Sequence, residues 1–216
     1  MTKARNVLDL AAQGAVLQRH LEKDTYGSFE LTEAIRPSIN RAIVPREGYR
    51  LDSWRPDPSE QTMLVVVASV TRSKLWKVFM DLLDAQDGRE GTVDVVLESS
   101  HDKMVDGHVD HCREEIDAVV LRSHLCEFEN LLMRDGYTGI AVLGADSSAE
   151  VQFDEHKLCF VYARDVRPFT KVMKRHGVVR DDALRVLSEG EHLHLTEESF
   201  QDEFERMRRT FGAGES

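Results

Sequence analysis

The sequence predicts a single domain of α/β or α+β class with a mixed sheet, and three observations carry that prediction. The branched apolar run Met63 to Val70 lacks alternation, as a strand covered on both faces does. Two short segments, 149–154 and 158–162, alternate apolar and polar residues with period two, the pattern of paired strands. Several longer segments place apolar residues three and four apart, which aligns them on one stripe of a helix. Of the 216 residues 41% are hydrophobic, enough to bury a core and unlike the composition of a disordered chain.

Residues 1–61 read as an N-terminal helix followed by a proline-bearing arm, and residues 62–216 as the globular domain. Val7, Leu10, Gly14, Leu17 and Leu21 share a helical stripe. Pro37, Pro45, Pro56 and Pro58 then impose an extended or irregular path, because proline fixes φ and lacks a backbone donor. This segment contains Tyr49 and Trp54, residue types that interfaces favour, so self-association or a protein partner is expected.

After the strand at 63–70, Thr71 is placed to cap a helix over 71–87, with Leu75, Phe79 and Leu82 on its apolar face. Thr92 to Ser99 is a second strand, and the strand–helix–strand order fits a crossover unit. Residues 100–116 are polar and read as a long loop. A helix follows over 117–135, ended by Gly136, and Tyr137 to Leu143 is a strand. With Glu155-His156 as a two-residue tip, the hairpin near 149–163 would set Phe153 opposite Leu158 and Asp154 opposite Lys157. Asp165 starts a helix over 165–176. Thr196 caps the last one, over 196–211, whose stripe is Phe200, Phe204, Met207 and Phe211.

Charge excludes some functions. The chain carries 28 basic and 39 acidic residues, a net of −11, and residues 81–117 alone hold twelve acids against three bases. Such a surface repels a phosphate backbone, so no nucleic-acid partner is expected. The density of like charge at 81–117 calls for an offset by the chain's own bases, a divalent cation or a basic partner. A membrane helix needs about 20 apolar residues, whereas the longest apolar run, at 63–68, has six, so no membrane association is expected. Asp9, Gln13 and Gln18 interrupt any apolar leader. A cytoplasmic protein with Cys112, Cys126 and Cys159 as thiols is therefore expected, Cys126 and Cys159 as buried spacers.

Phosphate-binding and nucleophile-elbow signatures are missing, as is HExxH. The hydroxyls of 144–148 read as a polar turn. Two histidine-rich segments remain. In 101–112, three histidines, three aspartates and Cys112 fall within twelve residues, and His108 and His111 have the spacing at which one helical turn can chelate a metal. That segment fails as a calcium loop, because the positions that must hold acidic ligands are Met104 and Arg113. In 190–194, an extended chain would turn His192 and His194 to one face and Leu193 to the other. The candidate metal ligands are thus His108, His111, His192 and His194, with a divalent metal as the implied cofactor. His156, beside Asp154 and Glu155 at the hairpin tip, reads as a solvated turn. From the missing catalytic signatures the expected function is a non-catalytic interaction or regulatory module. The alternative is a metal-dependent hydrolytic enzyme with a histidine-rich site.

Overall fold

The valine-rich segment after residue 62 forms a strand buried on both faces, as its unbroken apolar run requires. The computed structural model describes residues 14–39, 42–55, 57, 62–86, 91–101, 109–144 and 149–215. Residues 14–21 are helical (α1). The order continues β1 (Thr25–Tyr26), β2 (Phe29–Glu30), β3 (Ile35–Pro37), β4 (Gly48–Trp54), β5 (Met63–Ser69), α2 (Arg72–Ala85), β6 (Thr92–Ser99) and β7 (Val109–Asp117). Then come α3 (Ala118–Glu127), α4 (Glu129–Arg134), β8 (Thr138–Gly144), β9 (Ala149–Phe153), β10 (Cys159–Ala163), α5 (Arg167–Arg175), β11 (His192–His194), α6 (Glu198–Phe211) and β12 (Gly214–Glu215).

The main sheet has the order β12-β7-β6-β8-β9-β10-β5-β4. Every ladder in it is antiparallel, so the class is α+β and the sheet is not mixed. The expected crossover does not form. Strands β5 and β6 are separated by β10, β9 and β8, and α2 spans that gap instead of joining parallel neighbours. All helices from α2 to α6 pack on one face. Phe79, Leu125, Leu132, Met173 and Phe204 meet Val66, Leu97, Ile140, Val151 and Val161 in one buried cluster. On the opposite face Val65, Val67 and Leu158 are covered by Leu184 and Val186.

The β9–β10 hairpin differs from its predicted register by one residue. Phe153 pairs with Cys159, Val151 with Val161 and Ala149 with Ala163. The loop is Glu155-His156-Lys157: Lys157 N donates to Asp154 O at 3.0 Å, Asp154 N to Leu158 O at 3.2 Å, and Lys157 takes φ 60°. This is a type I turn closed by a left-handed residue. An odd loop residue flips one strand, so Cys159, Val161 and Ala163 face the helices while Phe160 and Tyr162 face the other way. Lys157 therefore makes no cross-strand pair with Asp154.

Residues 109–117 are a strand, not part of a loop. Strand β7 lies between β6 and the short β12, and it reads as polar because only His111 and Ile116 are buried in it. Cys126 is exposed rather than buried, one position past the inward Leu125 on α3. Thr71 takes the N-cap position of α2, but its hydroxyl accepts from Glu30 N at 2.9 Å instead of capping. Glu197, not Thr196, occupies the N-cap position of α6, and Gly212 ends that helix at φ 67°. Within the acidic stretch Asp81 meets Lys77, Arg175 and His176, Asp84 meets Arg122, and Asp117 accepts from Val119 N and Val120 N at the start of α3.

The N-terminal segment builds two edges. Strand β4 extends the main sheet beyond β5, and β3 pairs with β11 in a separate two-stranded sheet. Buried Arg36 holds β3 in place by donating to the carbonyls of Leu21, Thr32 and Ile35. Phe29, Leu31, Ile35 and Ile43 pack with Leu187 beneath it. No helix among the described residues is long and apolar enough to cross a membrane.

Candidate metal centre

One end of the main sheet gathers three imidazoles. Strand β11 is extended, as its pairing with β3 requires, so His192 and His194 project to the same side while Leu193 turns outward. The β9–β10 loop brings His156 to meet them. Its side chain is 18% exposed, so the tip is not the solvated turn expected from sequence. His156 Nε2 lies 3.1 Å from His192 Nε2, which lies 2.8 Å from His194 Nε2. The ring centroids are 4.7 to 4.8 Å apart, each pair edge-on.

What orients the rings is as informative as where they point. His192 Nδ1 is 2.6 Å from Gly190 O, and His194 Nδ1 is 2.5 Å from Gly136 O. A carbonyl oxygen only accepts, so both Nδ1 atoms carry the proton. His156 Nδ1 donates to the Asp154 carboxylate at 2.7 Å. In the neutral rings all three Nε2 atoms are then bare lone pairs facing one another. A proton can bridge one such pair; a metal cation satisfies all three. Around a tetrahedral zinc at about 2.0–2.1 Å, ligand nitrogens lie about 3.3 Å apart; the two pairs that share His192 are at 3.1 and 2.8 Å, and all three nitrogens lie within 4.8 Å of one another. Back-side donation to carbonyls and a carboxylate is the outer-shell pattern that orients metal-bound histidines.

The backbone explains why this geometry is held. A Cβ on Gly136 would lie 2.3 Å from Ala34 O and 2.8 Å from Leu195 O, so only glycine lets these three segments cross. Gly136 N donates to Leu195 O and Leu195 N to Ala34 O, both at 2.8 Å. The turn after α4 is thereby stitched to both strands of the small sheet. Beside it Asp135, wholly buried, accepts from His101 Nε2 at 2.8 Å and from Thr138 Oγ1 at 2.5 Å. Lys157, also buried, donates to Thr138 O at 2.8 Å, and burial pulls its pKa down to about 8 against the carboxylates of Asp135, Asp154, Glu155 and Glu98. Burial lowers the pKa of His194, outweighing the Gly136 carbonyl and Glu155. Burial opposes the rise at His156, but the Asp154 hydrogen bond and charge prevail and raise it.

Of the ligands read from sequence, His192 and His194 belong to this group. His111 lies on β7 with its ring centroid 5.7 Å from that of Phe204, outside the cluster. His108 and residues 145–148 lie outside the described residues. His156 was visible in sequence as an Asp-Glu-His trio, and what disguised it was the register of its loop. Cys159 is buried on β10, and burial pushes its thiol pKa far up, away from nucleophilic use. No protein-family model, curated protein or solved structure matches the chain.

Proposed function

We propose that His156, His192 and His194 bind a divalent transition metal, zinc before others, and that the protein is a metal-dependent hydrolase. The observation that carries this reading is the convergence of three Nε2 lone pairs whose opposite nitrogens are all committed to acceptors. Imidazole nitrogens suit zinc, whereas magnesium and calcium take oxygen ligands. Three protein ligands leave a fourth tetrahedral position for water, the arrangement of catalytic rather than structural zinc. Held by these three histidines, such a metal would supply a hydroxide nucleophile near neutral pH and would polarise the bond under attack. Asp154 and Glu155 flank the histidines, so neutral or cationic acyl substrates, esters and amides, suit the site better than phosphate esters. This reading is preferred to a non-catalytic interaction module, which rests on missing sequence motifs alone.

The test is metal content and affinity. Protein purified without chelator should carry close to one zinc per chain by plasma mass spectrometry. Zinc at a hundred times its dissociation constant should stabilise the fold by about 2.7 kcal/mol. The triple variant His156→Ala/His192→Ala/His194→Ala should show neither property. Equal zinc binding by the triple variant would refute the assignment.

A further inference from the structure

The turn that offers Gly136 to His194 also fixes another imidazole. Asp135 accepts from His101 Nε2, so in the neutral ring Nδ1 carries the lone pair. Burial works to raise the Asp135 pKa, but hydrogen bonds from His101, Thr138 and Thr196 hold it below the ordinary carboxylate value, so Asp135 is an anion at neutral pH. An ionised carboxylate behind an imidazole fixes its tautomer and stabilises the imidazolium.

Two further contacts tie His101 to the metal centre. Tyr137, in the same turn, has its ring 5.5 Å from that of His101 and 6.3 Å from that of His194. Ser100, next to His101, donates to Glu155 Oε2 at 2.8 Å, next to His156. The end of β6 is thus joined to the loop bearing His156, and the 135–138 turn to the strand bearing His194. Among the described residues, the groups facing His101 are Asp135, Tyr137 and, from α6, Phe204 at 6.1 Å between centroids. The ammonium of Lys157 acts on Asp135 from beyond Thr138.

We propose that His101, oriented by Asp135, is the proton-transfer group of the metal centre. The inference rests on the metal reading given above. The O–H bond of the metal-bound water breaks, and its proton passes through solvent water to His101 Nδ1. The resulting hydroxide adds to the acyl carbon. When the acyl C–O or C–N bond breaks, the imidazolium returns the proton to the leaving oxygen or nitrogen. Protons balance, and no redox partner is needed.

The test follows the ring nitrogens of the full-length chain, labelled with ¹⁵N-histidine and titrated with pH without and with zinc. Zinc should abolish titration of His156, His192 and His194. It should also lower the His101 midpoint, because a bound dication disfavours a second cation in the same network. His176, bonded to Asp81 on the helical side, should not move. His101→Ala should keep its zinc affinity, lose about 100-fold or more in zinc-dependent hydrolysis of 4-nitrophenyl acetate, and recover in free imidazole. If the three rings bind zinc but the His101 midpoint stays in place, the inference is overturned while the metal reading survives. If the three rings ignore zinc, the metal reading falls and takes the inference with it.

Discussion

Two histidine-rich stretches of this chain look alike in sequence, and their described histidines, His101 and His111 in one and His192 and His194 in the other, sit differently in the fold. The segment 101–112 is dense in potential ligands, yet His111, its member on β7, lies with its ring beside Phe204, and its buried Nδ1 has no hydrogen-bond partner among the described residues. The triad draws on positions 156, 192 and 194, from two elements far apart in sequence, and each Nδ1 has an acceptor. Convergence of one nitrogen and commitment of the other are what a site requires, and both are properties of the fold.

The comparison can be broken most forcefully at Phe204. It is 2% exposed and lies beside both His101 and His111. Phe204→Ala should cost about 3–5 kcal/mol of stability, the range for emptying a buried phenylalanine site. Zinc affinity at a temperature where the variant stays folded should be unchanged, because the triad lies elsewhere. Chemical denaturation and a competitive zinc titration would measure the two effects separately.

The next effect separates the regions directly. Asp154→Asn keeps the shape but removes the charge behind His156, and should weaken zinc binding by about 10–100-fold. His111→Ala should leave zinc affinity untouched. A loss in His111→Ala equal to that in Asp154→Asn would mean that the two regions share one metal.

The smallest effect is in pH dependence. Asp154 raises the His156 pKa above the ordinary 6.5, so in the metal-free protein this ring holds its proton to higher pH than a free histidine does. Metal binding must displace that proton, so zinc affinity should fall as pH drops through the His156 midpoint and level off above it. Asp154→Asn should move this limb to lower pH while lowering the plateau. His194, whose pKa burial depresses, competes less for protons and should add little to the limb.

Much of the fold was legible. The apolar run at 63–70, the alternation at 149–163 and the stripe of Phe200, Phe204, Met207 and Phe211 became β5, β9–β10 and α6, because each pattern reports burial directly: on both faces for β5, on alternate residues for β9–β10 and on one stripe for α6. The strand at 109–117 was not legible, since polar residues at an outer position of a sheet carry no alternation signal. Two of the three ligands of the candidate site were legible. His192 and His194 follow from period two once the segment is extended. His156 was hidden by one residue: a loop of two puts Lys157 on a strand, whereas the actual loop of three turns Lys157 inward at φ 60° and places His156 against β11. The partnership of β11 with β3, across more than 150 residues of chain, has no local signature at all.

The most direct test of the central claim is X-ray absorption at the zinc edge of the loaded protein. The account predicts three imidazole nitrogens and one oxygen at about 2.0–2.1 Å, with one nitrogen lost from the shell in each single variant of His156, His192 and His194. A shell of oxygens alone, or a sulfur at about 2.3 Å from Cys112, would contradict it.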